Sequence, residues 1–403
     1  MRIMIVSSSY SPAMNGQAVF TTNLAEGLVK LGHQVMVILD SPHLKADRKM
    51  VNGVDVEEIR SVSMNYFHAG VYFAPFPGKD IGRLFETFQP DIVHIQDHYP
   101  TCRVAVKIAR QRTIKLVGTN HFIPENMAPY LPGISSVKPV FNWFAWQWML
   151  SAYRHVNVIT AQSNAAAELL HQQKLNIPII PISCGIDLHT YYPNSEIDLH
   201  DIRKHFGIDP HKKIFFFLGR IDGEKRIDLL LHTMRQLPRD DIQLVIAGQG
   251  KEEAALRRMA SRLSLDDRVK FTGFIPTNDV PGLLNSVDVF VMPSEAELLS
   301  LSTLEAMACG RPVLLANALA LPELVRDGEN GYLFTPGDAT DLSRLMALMA
   351  DHPERWPAMG RVSRQITLAH SLDEVLNKFQ NLYGKLLGPV PITDLKRRVK
   401  EPI

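Results

Sequence analysis

The sequence predicts an α/β protein of two domains, each with helices packed on a mostly parallel sheet. Its 403 residues exceed what one ordinary hydrophobic core serves. Short apolar runs alternate repeatedly with longer amphipathic stretches, which is typical of doubly wound parallel sheets. A polar stretch, Tyr191 to Ile202, separates two such series and is the candidate linker. The predicted domains are therefore 1–195 and 205–370, followed by a helix and a basic tail at 371–403.

Each series has its own predicted strands and helices. In the first half the strands are predicted at Ile3–Val6, Val35–Leu39, Ile92–Ile95, Leu116–Thr119 and Val156–Thr160, with a helix at Ala18–Leu31. In the second half they are predicted at Ile214–Leu218, Gln243–Ala247, Val269–Phe271, Val289–Met292 and Pro312–Ala316. The helices of that half are predicted at Asp228–Gln236, Glu252–Leu263, Asn278–Leu284, Thr303–Ala308 and Leu372–Leu387. Ligands of such sheets bind beyond the carboxyl ends of the strands, so functional side chains are expected in the loops there.

Composition and charge argue against several classes of protein. The 43 Lys and Arg residues balance 42 Asp and Glu residues, whereas a nucleic-acid-binding domain is normally basic. Cys102, Cys184 and Cys309 have no spacing of a zinc site or a disulfide framework. The first residues lack the pattern of a secretory signal, and no apolar run reaches the roughly 18–20 residues of a membrane span. We therefore expect a cytoplasmic protein with reduced thiols.

Two glutamates near the end of one predicted strand are candidates for sugar recognition. Glu297 follows strand Val289–Met292 in a loop, and Glu305 lies in the first turn of the next helix. A carboxylate can accept two hydroxyl hydrogen bonds, which suits a sugar or a ribose diol, and a helix start favours phosphate. The alternative is that both are ordinary glutamates that cap and solvate the helix.

Two cations follow another predicted strand, Ile214–Leu218. Arg220 and Lys225 suit a diphosphate, because arginine binds phosphate through two parallel hydrogen bonds and lysine acts as a point charge. The alternative is a pair of surface salt bridges with Asp222 or Glu224.

The first half contributes a loop and a histidine. The loop Tyr10–Gln17 joins the first strand to a helix, where phosphate contacts are common, and it contains Gly16. It does not form the G-x-G-x-x-G pattern, so no nicotinamide cofactor is inferred. His121 stands two residues after the predicted strand Leu116–Thr119 and could hydrogen-bond a sugar hydroxyl or move a proton. The alternative is a structural histidine.

The sequence predicts neither a metal nor a cofactor. No Asp-x-Asp stands at a strand end, the pattern with which a metal-dependent sugar transferase holds magnesium or manganese beside a diphosphate. Arg220 and Lys225 are expected to neutralise a leaving diphosphate instead.

Taken together, these features resemble glycosyltransferase family 4, the retaining enzymes of the GT-B fold. The motifs that carry the resemblance run in order along nearly the whole chain: Ser11-Pro12, Asn15-Gly16, Gly32-His33-Gln34-Val35, Pro90-Asp91-Ile92-Val93-His94, Thr119-Asn120-His121, Ser183-Cys184-Gly185-Ile186-Asp187, Gly219-Arg220, Glu224-Lys225, Ala247-Gly248-Gln249-Gly250, Ser294 to Glu297, Glu305 to Val313 and Asn330-Gly331-Tyr332. The resemblance implies two Rossmann-like domains facing a cleft, the first for the acceptor and the second for the nucleotide-sugar. It also implies that the C-terminal helix packs back toward the first domain.

The resemblance implies roles for residues of the second half. Glu297 would contact the donor hexose and Glu305 the ribose hydroxyls. Arg220 and Lys225 would hold the diphosphate, and Gly248 would border the nucleotide base. Glu297, Arg220 and Lys225 are thus candidate catalytic residues.

Further roles follow for the first half and for one stretch of backbone. Gly16 would let its loop approach the phosphate and the acceptor. His121, also a candidate catalytic residue, would lie near the donor sugar's hydroxyls at the reacting face. The backbone N–H groups of Leu299, Ser300 and Leu301 would contact sugar or phosphate.

The family also implies a reaction and narrows its substrates. The donor's anomeric configuration would be retained, with the leaving phosphate taking the acceptor's proton. Leu298-Leu299-Ser300 stands where the family often has Gly-Phe-Gly, and this variant is similar to a subgroup that includes diacylglycerol glucosyltransferases. We expect a UDP-glucose type of donor and a lipid acceptor. The alternatives are transfer to a soluble or polyprenyl-linked sugar in polysaccharide assembly, a sugar-nucleotide epimerase, and a non-catalytic sugar-nucleotide binding protein.

One segment of the first half indicates an anionic membrane surface as a partner. Thr101 to Arg154 contains seven basic residues and one acidic residue, and Arg103, Lys107 and Arg110 recur on one face of a helix. Aromatic residues follow at Phe141, Trp143, Phe144, Trp146 and Trp148. Basic and aromatic residues together are typical of a peripheral protein at the inner face of a membrane. The alternative is that the aromatics pack inside the first domain and the charges face water.

Overall fold

A computed structural model of the chain describes residues 1–13, 15–41, 43, 45–63, 72–124 and 138–388. By its contacts the chain divides into two compact units. The first comprises Met1–Gly185 and the chain from Leu372 onward, and the second comprises Ile186–Ser371. The predicted basic tail falls outside the described residues.

The first unit is built on an eight-stranded sheet. Its chain forms strands β1 (Arg2–Val6), β2 (Gln34–Asp40), β3 (Asp47–Val51), β4 (Val54–Ile59), β5 (Val62–Ser63), β6 (Tyr72–Phe73), β7 (Ile92–Ile95), β8 (Lys115–Asn120), β9 (Val158–Ala161) and β10 (Ile179–Pro181). Its helices before the second unit are α1 (Gly16–Lys30), α2 (Gly78–Phe88), α3 (Pro100–Gln111), α4 (Lys138–Tyr153) and α5 (Asn164–Gln172). The sheet order is β10-β9-β8-β7-β1-β2-β4-β3; the edge pair β3–β4 is antiparallel and the other pairs are parallel. Strands β5 and β6 form a separate antiparallel pair.

The second unit is built on a six-stranded parallel sheet. Its strands are β11 (Lys213–Leu218), β12 (Ile242–Ala247), β13 (Val269–Gly273), β14 (Val289–Met292), β15 (Val313–Ala316) and β16 (Gly331–Phe334). Its helices are α6 (Leu199–His205), α7 (Ile227–Gln236), α8 (Glu253–Arg262), α9 (Val280–Ser286), α10 (Leu301–Ala308), α11 (Ala339–Asp351) and α12 (Trp356–Thr367). The order β13-β12-β11-β14-β15-β16 is that of a doubly wound Rossmann sheet. All its strands are parallel, and the strand order switches from one side of β11 to the other between β11 and β14.

The last helix, α13 (Leu372–Leu387), belongs to the first unit. It packs on α1, where the Leu376 side chain fills the space beside Gly27. The Tyr383 hydroxyl lies 2.7 Å from Nδ1 of the fully buried His94, whose Nε2 lies 2.6 Å from the Thr119 hydroxyl. This chain of buried hydrogen bonds ties the C-terminal helix into the core of the first unit, as the family resemblance implied.

The predicted linker is wrong in part. Residues Leu199–His205 form a helix of the second unit, and the division between the units falls after Gly185 rather than near residue 195. The Asp198 carboxylate accepts hydrogen bonds from the N–H groups of His200 and Asp201. Asp198, one of the polar residues of the predicted linker, is therefore the N-cap of a helix.

Among the described residues, no helix combines the length and the apolar character that crossing a bilayer would require.

Candidate active site

Two loops that carry predicted site residues lie side by side where the strand order of the second sheet switches, between β11 and β14. Strand β11 ends at Leu218 and is followed by Arg220, and a short 3₁₀ turn then places Lys225. Strand β14 ends at Met292 and is followed by the loop with Glu297. Because β11 and β14 are neighbours in the sheet, the two loops emerge side by side at its carboxyl edge, where ligands of this fold bind.

Lys225 and Glu297 are in direct contact. The Lys225 ammonium lies 2.5 Å from Oε1 of Glu297, and both side chains are mostly buried. A lysine ammonium has three donors, so the pair leaves donors for a second anion. The contact therefore positions a cation and a carboxylate to share one polar ligand.

Arg220 lies beside this pair and is held by two carboxylates. Its Nη1 donates to Asp222 at 2.5 Å and its Nη2 donates to Glu224 at 2.7 Å. Glu224 also lies 3.8 Å from the Lys225 ammonium, so the two cations share a carboxylate. The salt bridges that were the alternative to a diphosphate site for Arg220 are thus present. They fix the guanidinium at the strand end and are compatible with anion binding, because Arg220 remains 46% exposed.

Helix α10 begins directly after the Glu297 loop. The Ser300 hydroxyl caps it by accepting from the N–H of Thr303 at 3.3 Å. Leu299 precedes the cap and is buried, and Leu301 is the first helical residue. The predicted backbone contacts of 299–301 therefore belong to a helix N-terminus, where N–H groups lack helical partners.

Glu305 lies on α10, but not in its first turn as predicted, because the helix begins at Leu301, two residues before the predicted Thr303. It forms a hydrogen bond with the Tyr191 hydroxyl, which lowers its pKa, but the larger effect of burial raises the pKa of the Glu305 carboxyl to about 7. Burial, and after it the contact with Glu305, raises the pKa of Tyr191, so the Tyr191 hydroxyl stays protonated and donates. Glu305 is thus a desolvated carboxyl with a remaining oxygen for a hydroxyl ligand.

Gly248 has a structural reason to be glycine. Its φ is +128°, and a Cβ there would lie 1.8 Å from the carbonyl oxygen of Gly219. Gly250 meets the same limit, since a Cβ there would lie 2.2 Å from the carbonyl oxygen of Ile221. These glycines let the loops after β11 and β12 pack backbone against backbone at the strand ends.

In the first unit, the strand order switches between the parallel neighbours β1 and β7. Asp97 connects the loops that follow these two strands. Its carboxylate accepts from the N–H of Ser8 at 2.6 Å and from the Gln17 amide at 3.2 Å. Asn15 caps α1 by accepting from the N–H of Ala18 at 2.9 Å, which leaves Gly16 as the first helical residue. The predicted Gly16 loop is therefore anchored at both sides.

His121 is held by two amides. Its Nε2 lies 2.8 Å from Oε1 of Gln96, and its Nδ1 accepts from the Gln162 amide. Burial lowers the pKa of His121 to about 3, against the opposing effect of the Asp97 charge. The ring is therefore neutral, with its proton on Nε2, and both nitrogens are occupied. This geometry favours a positioning contact over the proton transfer considered from the sequence.

The structure separates the predicted site residues into two groups. Gly16 and His121 lie in the first unit, and the residues at positions 220, 225, 248, 297, 299, 300, 301 and 305 lie in the second. Within the described part of the chain, no group of three or more His, Cys, Asp or Glu side chains is arranged to hold a metal ion.

Sequence reasoning missed several side chains that complete these sites. Gln96 and Gln162 each directly follow a strand, which was the available signal for a rim position. Tyr191 carried no comparable signal, because it lies in an irregular stretch more than a hundred residues before Glu305.

Comparison with known protein families matches both units. The family described as Glycosyltransferase Family 4 matches residues 14–190, and the family described as Glycosyl transferases group 1 matches residues 199–365. Together the two family models match most of the chain, which is therefore a glycosyltransferase whose first unit matches family 4.

Curated relatives extend over most of the chain. An uncharacterized glycosyltransferase from Methanocaldococcus jannaschii is 27% identical and covers 95% of this chain and 98% of its own. The alpha-monoglucosyldiacylglycerol synthase of Streptococcus pneumoniae is 26% identical, covering 83% of this chain and 75% of its own. A GDP-mannose-dependent phosphatidylinositol dimannoside mannosyltransferase of Mycobacterium tuberculosis is 29% identical, covering 81% and 82%.

Solved structures show the same fold. The sucrose-phosphate synthase of Thermosynechococcus elongatus matches with a TM-score of 0.79 at 18% identity, covering 96% of this chain and 99% of its own. Anabaena HepE in complex with UDP-glucose matches with a TM-score of 0.75 at 19% identity, covering 95% and 99%. The chain has the GT-B fold.

Proposed function

We propose that this glycosyltransferase moves a hexose from a UDP-glucose type of donor to a hydroxyl acceptor, with retention of configuration and without a metal ion. A membrane lipid such as diacylglycerol is the first candidate acceptor, reached by a peripheral protein at the cytoplasmic face of a membrane. The observation that carries the proposal is the contact between Lys225 and Glu297, with Arg220 beside it.

The charges at the strand ends fit a diphosphate next to a sugar. Arg220 and Lys225 carry positive charge where a diphosphate would lie, and Glu297 next to Lys225 can accept from sugar hydroxyls. Glu305 on α10 offers a carboxyl for a ribose diol, with the Tyr191 hydroxyl orienting it. Two cations can take up the negative charge that develops on a leaving diphosphate, which is the task a metal ion performs in other transferases.

The proposed step exchanges one bond at the anomeric carbon for another on the same face. The bond from the anomeric carbon to the diphosphate oxygen breaks, and the acceptor oxygen forms the new glycosidic bond. The acceptor's proton passes to an oxygen of the leaving diphosphate. His121 is neutral and has both nitrogens engaged, so in this proposal it orients groups and does not take the proton.

The donor and acceptor classes are supported by the names of relatives. HepE binds UDP-glucose in its solved structure, and the streptococcal relative is a glucosyldiacylglycerol synthase. The mycobacterial relative uses GDP-mannose on a phosphatidylinositol glycolipid, so a guanosine donor is the next to test.

The test is transfer from UDP-glucose to diacylglycerol in anionic liposomes with EDTA present, followed by UDP release and glycolipid analysis. We expect an α-linked glycolipid that is lost in Glu297→Ala and kept in Arg344→Ala, whose surface pair with Asp341 lies on α11. A requirement for added metal or a β-linked product would contradict the proposal. UDP release without glycolipid would retain the donor and move the acceptor to a soluble or polyprenyl-linked sugar. Donor binding with no release or transfer to any acceptor would favour the non-catalytic alternative.

A further inference from the structure

Helix α4 has two apolar faces, and one of them is exposed. Its inner face packs into the first unit through Trp146, Met149, Leu150 and Tyr153. Its outer face presents Val140, Trp143, Phe144 and Trp148. Trp143 is 57% exposed and Phe144 is 61% exposed, although a helix in water normally turns polar residues outward. The predicted aromatic segment is thus divided between core and surface, and the outer face has the composition of a surface that meets an apolar phase.

A basic cavity of about 580 Å³ lies beside this face, between α3 and α4. It is lined by Arg103, Val106, Lys107, Arg110, Gln111, Ser151, Ala152 and His155. Three of these residues are cationic, a fourth is a histidine, and none is acidic. The cavity is therefore suited to an anion.

Arg103 builds the wall of the cavity. Its guanidinium donates to the His98 carbonyl oxygen at 2.7 Å, to the Ser151 hydroxyl at 2.6 Å and to the Trp148 carbonyl oxygen. It also lies 4.7 Å from the centre of the Trp148 ring. Arg103 thus joins α3 to the aromatic face of α4 and makes cavity and face one continuous surface.

Lys107 and Arg110 are the available cations of the cavity. Both are exposed, and within the described residues neither forms an ion pair. Burial lowers the pKa of His155, and the charges of Arg110 and Arg154 lower it further. The two unpaired side chains are free to bind an external phosphate.

We propose that the cavity and the outer face of α4 form a docking surface for a bilayer that contains anionic phospholipid. Lys107 and Arg110 take the headgroup phosphate, and Trp143, Phe144 and Trp148 enter the interface. A soluble anion would use the cations without the aromatic face, and an apolar protein partner would use the face without the cations. An anionic bilayer uses both. The inference rests on the proposed function only in that a lipid acceptor must be reached at a membrane.

The test is co-sedimentation of the full chain with vesicles that contain neither diacylglycerol nor nucleotide-sugar, so that binding is measured apart from transfer. Vesicles of phosphatidylcholine are compared with vesicles of phosphatidylcholine and phosphatidylglycerol. We expect binding to the anionic vesicles that weakens as salt is raised. Lys107→Gln with Arg110→Gln should weaken it on the order of 30-fold, since each basic residue near the surface contributes about fivefold.

A matched control separates this surface from net charge. Arg258→Gln with Arg262→Gln removes the same charge from exposed positions on α8 and should leave vesicle binding unchanged. Trp143→Ser with Phe144→Ser should weaken binding by about tenfold or more while its dependence on anionic lipid remains. Equal binding to neutral and anionic vesicles, or equal losses in the α3 and α8 double variants, would overturn the proposal. Normal vesicle binding without any transfer would leave this inference in place and contradict the proposed function alone.

Discussion

The Lys225 ammonium and the Glu297 carboxylate lie 2.5 Å apart, although 72 residues of sequence separate them. The contact forms because Lys225 follows strand β11 and Glu297 follows strand β14. These two strands are neighbours in the second sheet, at the point where the strand order switches. A mostly buried cation and carboxylate hold each other in place, so a ligand that binds one of them also meets the other.

Removing either member of this pair is expected to impair transfer strongly. Lys225→Ala and Glu297→Gln should each lower kcat/KM by about 10²–10³-fold, because each removes a charge from the reacting region. If the two residues act as a unit, the double variant should lose less than the product of the single losses. Arg344→Ala, in a surface pair on α11, is the control and should stay within about twofold of the wild type. Full activity in both single variants would show that the pair is only structural.

Much of the fold could be predicted because the parallel strands are buried on both faces. Strand Val289–Met292 matches its prediction, and the neighbouring strand begins at Lys213, one residue before the predicted Ile214. The edge strand Asp47–Val51 was not predicted, because its residues are charged and mostly exposed and carry no apolar pattern. A hydrophobic pattern therefore predicts the buried strands inside a parallel sheet and misses an exposed strand at its edge.

For the candidate site, the sequence predicted which residues lie at the carboxyl edge of the sheet but not which of them are in contact. Residues after strand ends were expected at the carboxyl edge, and this expectation located Arg220, Lys225 and Glu297. Which of them would touch depends on the order of strands in the sheet, which the local pattern does not contain. For the same reason the Gln96 and Gln162 clamp on His121, which uses the ends of two strands, could not be foreseen.

Gly248→Ala is expected to destabilise the second unit. Its new Cβ would collide with the Gly219 carbonyl oxygen, and a φ of +128° is strained for alanine. The free energy of unfolding should fall by about 3 kcal/mol or more, which corresponds to a lower Tm by about 6–12 °C. Gly223→Ala is the control, because a Cβ there meets nothing within 4 Å and its φ is not positive. Thermal unfolding of the three proteins checks this, and equal Tm values would show that the loop relaxes to accept a side chain.

The first unit is expected to lose stability in mild acid. Burial lowers the pKa of both His94 and His121 to about 3, whereas an unfolded histidine titrates near 6.5. As pH falls below 6.5, the unfolded chain binds protons that the folded unit does not, so stability falls by up to about 1.4 kcal/mol per pH unit for each histidine. His121→Gln should reduce this slope by one proton in chemical unfolding between pH 6.5 and 5. An unchanged slope would show that His121 titrates normally in the folded protein.

Glu305 is expected to make donor binding and stability depend on pH in opposite senses. Its folded pKa of about 7 lies above the ordinary 4.5, so its contribution to stability is complete below 4.5 and is lost as pH rises toward 7. The loss can reach about 3 kcal/mol, and Glu305→Gln should remove it.

Ribose hydroxyls donate to the ionised carboxylate, so affinity for UDP-glucose should instead rise between pH 6 and 8. UDP-glucose suits this measurement because its diphosphate diester does not titrate in that range. Calorimetric binding across that range tests the sign, with Glu305→Gln as the flat reference. An affinity that falls with pH in the wild type would mean that the protonated carboxyl, donating its own hydrogen, is the form that binds the nucleotide-sugar.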